Sequence, residues 1–462
     1  MQLEPEDFQQ QVEEKLREAA EKIPGKRRQR KQKSWITDSI LQKCDERRKL
    51  KQTRFNSPQE SEAYRAINKE VKKEVGKAKE TWIQQKCDSI ESSLRANNTK
   101  VAYDTVKELT QQKSSRISCI EDANGTLLSE KPAIAKRWHE YCSELYNYQI
   151  SAEQEVLQKL KDQTADQVEE DPDILESEVE AALKSLKHGK SPGFDNILAE
   201  HLANGGESVV KAYTRICNHV FKTGNWPKDW TTSIVVPLPK KGNLRKCNNY
   251  RTISLISHPS KILLKVILNR LRPQAEALLS QEQAGFRKGR STTEQIFNLR
   301  VLCEKHRQLG KPVYHNFIDY KKCFDRIWQE GLWAVLRKYN ISPGIIKSIE
   351  ALYATARSMV RVGEDFSECF PTSVGARQGC LLSPTLCNIF LENIMAESRV
   401  ELESPLTISG RTISDLRFAD DIDLLHGSAS DQIHHSQKVD KTSGRYGMEI
   451  SLEKTKTMAS SG

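Results

Sequence analysis

The 462-residue sequence has no run approaching the roughly 18 uninterrupted apolar residues that span a bilayer. Its amino terminus, MQLEPEDFQQ, is acidic and has no apolar signal core. A chain that stays away from membranes and inside the cell is therefore expected. There is no CxxC pair, and the 11 cysteines, an odd number scattered from Cys44 to Cys387, have no Cys/His spacing suited to zinc. A disulfide framework and a zinc module are both excluded, and the thiols read as reduced core filler. Apolar residues are also scarce: at 37% they fall short of an ordinary globular chain, so part of the protein is expected to be solvated helix or linker. The length gives a prior of about three domains at roughly 150 residues each. The 72 Lys and Arg against 62 Asp and Glu leave a formal charge of +10, which favours a polyanionic partner without proving one.

The charge is unevenly distributed. Lys26 to Arg54 hold twelve basic residues against three acidic ones, followed by a polar stretch in which Trp82, Ile83, Cys87, Ile90 and Leu94 recur at helical spacing. This reads as a basic, mainly helical region, either a solvated face or linker or a nucleic-acid-binding extension. GKRRQRKQK within it has the composition of a localisation signal. Asp162 to Glu180 then carry nine acidic groups and no Lys or Arg, a run that would repel phosphate and that reads as a boundary. The expected organisation is a helical basic extension over 1–161, an acidic linker over 162–186 and a folded domain over 187–462.

Beyond the boundary, helices and β-rich runs alternate. SIVVPLP (Ser233 to Pro239) and RTISLIS (Arg251 to Ser257) predict a hairpin turning at Lys240 to Gly242. Ser257 to Ser260 signal the start of a buried helix carrying Ile262, Leu263, Val266, Ile267 and Leu271. VYHNFIDY predicts a strand ending in an aspartate, and Ser383-Pro384 a helix with Ser as its N-cap. LRFADDIDLL has apolar residues on both sides of Asp420-Asp421, as a tight hairpin would. Two adjacent carboxylates between apolar strands repel each other and lose hydration unless a cation compensates. Alone they read as a polar turn. The second acidic strand end, Asp319, lies 101 positions upstream. Brought together, Asp319 and Asp420 would build the carboxylate site that holds two metal ions for in-line phosphoryl transfer. Between them lies GARQGCLLSP, whose Gly379 permits close backbone approach and whose Gln378 offers hydrogen bonds to a base pair or template strand.

In this order the motifs resemble the reverse transcriptases of non-LTR (LINE-type) retrotransposons, of the endonuclease-reverse transcriptase kind. FIDYKKCFDRI resembles the family's motif A, ARQGCLLSP its motif B, FADDIDLL its motif C and MEISLEKTKTM the start of its motif D. KSPGFDNI, YRTISLIS and AGFRKGRSTTEQI match blocks of its fingers. The resemblance implies an α+β fold, right-hand polymerase fingers and palm, with Asp319, Asp420 and Asp421 as catalytic metal ligands and the Tyr320 carbonyl as a further one. It implies two Mg²⁺ ions, with Mn²⁺ as the substitute. It places Arg251 and Lys240 or Lys241 on the incoming triphosphate, residues that otherwise read as exposed turn charges, Phe324 as the steric gate against a ribose 2′-hydroxyl, or otherwise a core aromatic, and Gln378 and Gly379 beside the nucleotide. Lys454, or Lys456, becomes the acid that protonates pyrophosphate. Arg287, Lys288 and Arg290 become template contacts, or the charges of a solvated loop. The implied partners are an RNA template, a DNA primer at a target site and deoxynucleoside triphosphates, with no membrane, and the implied location is the nucleus.

The sequence departs from the family at Thr252, where proline is usual, and at Cys323 and Cys380, where other small residues are usual. It ends shortly after motif D, so no thumb is expected, and residues 1–180 carry no endonuclease motif series. A truncated copy is therefore expected. The alternatives are an inactive remnant that only binds nucleic acid, and an intron-type maturase sharing the same palm.

Overall fold

The computed structural model describes residues 5–22, 35–53, 55, 57–110, 119–163, 171–240, 242–408 and 410–460. GKRRQRKQK, Lys241 and residues 164–170 of the acidic run lie outside them. The described residues form two units, one of helices between residues 23 and 116, the other built from the amino-terminal helix and everything from residue 117 onward.

The helical unit contains Asp38–Thr53, Pro58–Arg95 and Thr99–Thr110. Ser57 caps the long central helix by accepting from Glu60 N at 3.2 Å, with Pro58 in the first turn, where its missing N–H costs nothing. Lys43 bridges Glu70 and Glu74 across the first pair of helices, and Lys86 reaches Glu108 across the second. The expected apolar stripe is only partly used. Ile83, Cys87 and Leu94 are exposed, while Ile40, Ile67, Val71 and Ala102 are buried. The flanking helices cover short stretches of a 38-residue helix, so periodicity marks more apolar face than the neighbours bury.

In the larger unit, strands β1 (Thr232–Pro239) and β2 (Tyr250–Leu255) pair antiparallel, and β1 pairs in parallel with β4 (Arg357–Val362). A second, antiparallel sheet holds β3 (Val313–Ile318), β5 (Asp415–Phe418), β6 (Asp421–His426) and β7 (Lys456–Ser460) in the order β5-β6-β3-β7. Alternation puts Ile318, Ile422 and Leu424 in the same core as helix α2 (Ser383–Glu397), whose Leu386, Ile389, Phe390 and Ile394 are buried. This is the expected α+β architecture. Helix α1 (His258–Leu278) starts where the sequence indicates, with Ser257 Oγ accepting from Ser260 N at 3.3 Å.

Three local expectations are corrected. The connection from β1 to β2 spans residues 240–249 and folds on itself, with Lys240 N donating to Asn249 O and Tyr250 Oη to Leu244 O, both at 2.8 Å. Ser383 does not cap its helix. Its hydroxyl donates to the Arg377 carbonyl at 2.8 Å, and Leu382 holds the cap position. The division of the chain also differs from the one expected. Helix Lys131–Tyr146 buries Trp138, Cys142 and Tyr146 with Tyr250, Val360 and Phe370, which ties this segment to the β1-β2-β4 sheet. Part of the acidic run is anchored as well. Asp171 accepts from Gly344 N at 2.7 Å, and Glu178 takes Arg270 through both carboxylate oxygens, at 2.8 and 2.7 Å.

Among the described residues the cysteines are free, and Cys142, Cys217, Cys247, Cys323, Cys380 and Cys387 are buried. No helix among them is long and apolar enough to cross a membrane.

Trp138 has no exposed surface and meets Tyr141 and Tyr250 edge-on at 5.8 and 5.1 Å. Trp138→Ala is expected to destabilise the larger unit by about 3–5 kcal/mol in chemical denaturation. A loss under about 1 kcal/mol would detach this helix from the sheet's core.

Candidate active site

Backbone register brings the acids together. Ile318 of β3 faces Ile422 of β6, so Asp319 and Asp421, the next residues toward the same edge, stand at one end of the sheet. In the β5–β6 hairpin Phe418 faces Asp421, leaving Ala419 and Asp420 as a two-residue turn with Ala419 in the left-handed region at φ 59°. Burial raises the carboxyls of Asp420 and Asp421 above the ordinary range. Repulsion from Asp319 adds to both, and Asp420 also feels Asp421. The segment before β7 supplies a cation in contact, Lys454, whose Nζ lies 2.9 Å from Asp319 Oδ1. The backbone there is tied to β3, with Ser451 N donating to Asp319 O at 2.7 Å. A cavity of about 320 Å³ opens beside the acids, lined in part by Phe317, Leu416, Phe418, Ile296 and Lys454.

The Gln378–Gly379 loop is fastened to two neighbours. Ser254 N donates to the Gln378 carbonyl at 2.7 Å, and Gly379, at φ 118°, passes so close that a Cβ would lie 2.5 Å from Ser254 O. The Gln378 amide donates to Asp325 Oδ1 at 2.8 Å. Phe324, half-buried, meets exposed Phe286 edge-on at 6.3 Å. Lys240 and Arg251 sit on the facing hairpin. Burial first, then repulsion from Arg251 and Lys454, pulls the Lys240 ammonium below its ordinary range. The structure thus gathers cations around a cleft floored by carboxylates. Thr252, the departure from proline, is buried, with its hydroxyl 2.7 Å from Tyr146 Oη.

Residues 238–462 match the family model of reverse transcriptase (RNA-dependent DNA polymerase). This part of the chain is similar to reverse transcriptase domains, and the relatives it matches are proteins of transposons and retrotransposable elements. The chain is 31% identical to the "Probable RNA-directed DNA polymerase from transposon BS" of Drosophila melanogaster, over 55% of this chain and 28% of that protein. It is 28% identical to the "Transposon TX1 uncharacterized 149 kDa protein" of Xenopus laevis, over 64% and 23%. The solved structure of apo telomerase from Candida tropicalis aligns over 55% of this chain and 50% of that one, at 15% identity and TM-score 0.40. The chain spans about a quarter of the length of the curated relatives.

Reverse transcriptases work with divalent metal ions, and the donor set here suits such an ion. Three carboxylates, two of them raised by burial and mutual repulsion, are the hard oxygen ligands that a compact cation prefers and stabilises. Among the described residues no three acidic, His or Cys side chains stand ready-made as a metal cage. The Lys454 ammonium holds the charge balance at Asp319 instead.

The side chains of other expected residues are engaged elsewhere. The Tyr320 ring is buried, its hydroxyl 2.8 Å from Ser443 Oγ. Lys456 lies on β7, its ammonium on the Glu453 carbonyl. Arg287 is committed inward, to Glu276 and to the carbonyls of Ser280 and Gln283, and Arg290 pairs with Glu294. Both guanidiniums are thus paired with carboxylates of the protein itself. Asp325 was not singled out in the sequence. The signal was its place in FDRI, one residue after Phe324. Gln283, just before the AGFRKGR block, was also passed over.

Asp325 is buried, and desolvation raises its carboxyl to about 6, opposed by Lys322, Gln378 and Lys240. An acid raised on folding binds its proton more tightly in the native state, so stability falls as pH rises from about 4 through about 6. Asp325→Asn removes this loss. Its stability relative to wild type should improve by roughly 1–3 kcal/mol between pH 4 and pH 7. A difference independent of pH in denaturant titrations would contradict the shift.

Proposed function

We propose that the chain adds deoxynucleotides to a DNA 3′-hydroxyl on an RNA template, releasing pyrophosphate. The observation that supports this most is the meeting of Asp319, Asp420 and Asp421 at one sheet end, beside the Gln378–Gly379 loop and Phe324. The three carboxylates, with the Tyr320 carbonyl, would hold two Mg²⁺ ions, or Mn²⁺ in their place. Bound there, the ions supply activation of the attacking hydroxyl and neutralise charge on the leaving pyrophosphate. Lys240, Lys241 and Arg251 would grip the triphosphate, Arg as a fork and Lys as point charges. Gln378 and Gly379 face the base pair being formed, and Phe324 crowds the position of a 2′-hydroxyl. Lys454 holds a proton on Nζ at the rim, where it can pass to the departing pyrophosphate. The natural template in this reading is the element's own RNA, the primer is target DNA, and the place of work is the nucleus.

Single-nucleotide extension of a DNA primer on an RNA template tests the reading. Asp420→Ala should lower kcat by at least about 100-fold, the scale of losing a preorganised charge partner. Unchanged extension would remove the two-metal assignment. A wild-type chain that binds the hybrid without extending it would return the protein to the binding-only alternative. Phe324→Val should raise ribonucleotide incorporation about tenfold or more, the scale of relieving one steric contact. Unchanged discrimination would make Phe324 a core aromatic.

A further inference from the structure

The turn that presents Asp420 is held by a segment to which the reaction above gives no part. Residues 282–285 run beside β5, with Arg417 N donating to Glu282 O at 3.0 Å and Ala284 N donating to Arg417 O at 2.9 Å. Between these bonds lies Gln283, 1% exposed. Its Oε1 accepts from Ala419 N and from Gly285 N, both at 2.8 Å, and its Nε2 donates to Ala419 O at 3.1 Å. One buried amide thus grips both polar groups of the residue preceding Asp420. The contact leaves no slack. A Cβ on Gly285 would lie 2.1 Å from Ala419 N, and Asn388 of helix α2 fixes the Gly285 carbonyl at 2.7 Å. Ala419 is the turn residue in the left-handed region, a conformation that L-residues keep only where their surroundings impose it.

We propose that Gln283 is a positioning residue for the polymerase reaction, its side-chain amide clamping the Ala419 peptide and so setting where Asp420 stands relative to Asp319. The inference rests on the polymerase reading. It differs from a general role in folding because the clamp touches the backbone of the carboxylate-bearing turn and is buried, outside the lining of the cavity beside the acids. A loosened clamp moves one metal ligand. The cost should therefore fall on kcat and on the demand for metal, and spare substrate binding.

The test uses the full chain with Gln283→Met, which keeps length and removes every side-chain hydrogen bond, and Gln283→Glu, which keeps the acceptor for both N–H groups and loses the donor. Single-nucleotide extension gives kcat, KM for the nucleotide and the half-saturating Mg²⁺ concentration. Primer–template affinity is measured without divalent ions. Hydrogen exchange is followed in the peptide containing Ala419. The Met variant is expected to lose tenfold or more in kcat and to need at least threefold more Mg²⁺, with KM and primer–template affinity within twofold of wild type and faster exchange at Ala419. The Glu variant is expected to fall between the two. A Met variant with wild-type kcat and Mg²⁺ demand overturns the proposal, as does a loss of kcat matched by equal loss of primer–template affinity. Should the Met chain fail to fold, a Glu variant with wild-type kcat and Mg²⁺ demand overturns it equally. A wild-type chain without extension activity sinks the polymerase reading instead. Exchange at Ala419 then decides the clamp alone, faster in Met if it holds and unchanged if it does not.

Discussion

The site depends on a backbone register. Pairing Ile318 with Ile422 puts Asp319 beside Asp421, and the two-residue turn adds Asp420 at the same end. Apolar side chains enforce the register, because a slip by one residue would turn Ile318, Ile422 and Leu424 out of the core and the acids into it. Burial energy in the sheet is therefore what holds mutually repelling carboxylates together. A hairpin with a weaker apolar face would relax to separate them.

Around that end the protein spends buried and half-buried polar groups on geometry. Gln378 is fixed to Asp325 and to Ser254, Arg417 sits buried between Glu392 and Asp415, and Gln283 holds the Ala419 peptide. Breaking any of these leaves a buried donor or acceptor unpaired, which costs more than the bond contributes when made. Such networks rigidify the loops that carry the reacting groups. Loops tied in this way to strand ends behave as part of the scaffold, and Phe324 and Gln378 inherit their positions from it.

Much of this was legible in the sequence. The hairpin around Asp420-Asp421, the strand ending at Asp319 and the helix after Ser257 follow from local alternation and capping chemistry. What escaped was contact between segments distant in sequence. Asp162 to Glu180 suggested a boundary by charge, yet Asp171 and Glu178 are spent on Gly344 and Arg270, and Trp138, upstream of it, lies in the core beside Tyr250. Arg287 looked like a phosphate contact because composition does not reveal that Glu276 neutralises it. Gln283 and Asp325 were missed for the same reason, since the partners that reveal them, Ala419 and Gln378, lie more than fifty residues away.

The central claim is that the paired strand ends form one divalent-ion site. Mn²⁺ binding followed by water-proton relaxation tests it without requiring turnover. Wild type should bind Mn²⁺, and Asp319→Ala and Asp420→Ala should each weaken binding by at least tenfold, about 1.4 kcal/mol. Binding unchanged in both variants would contradict the account.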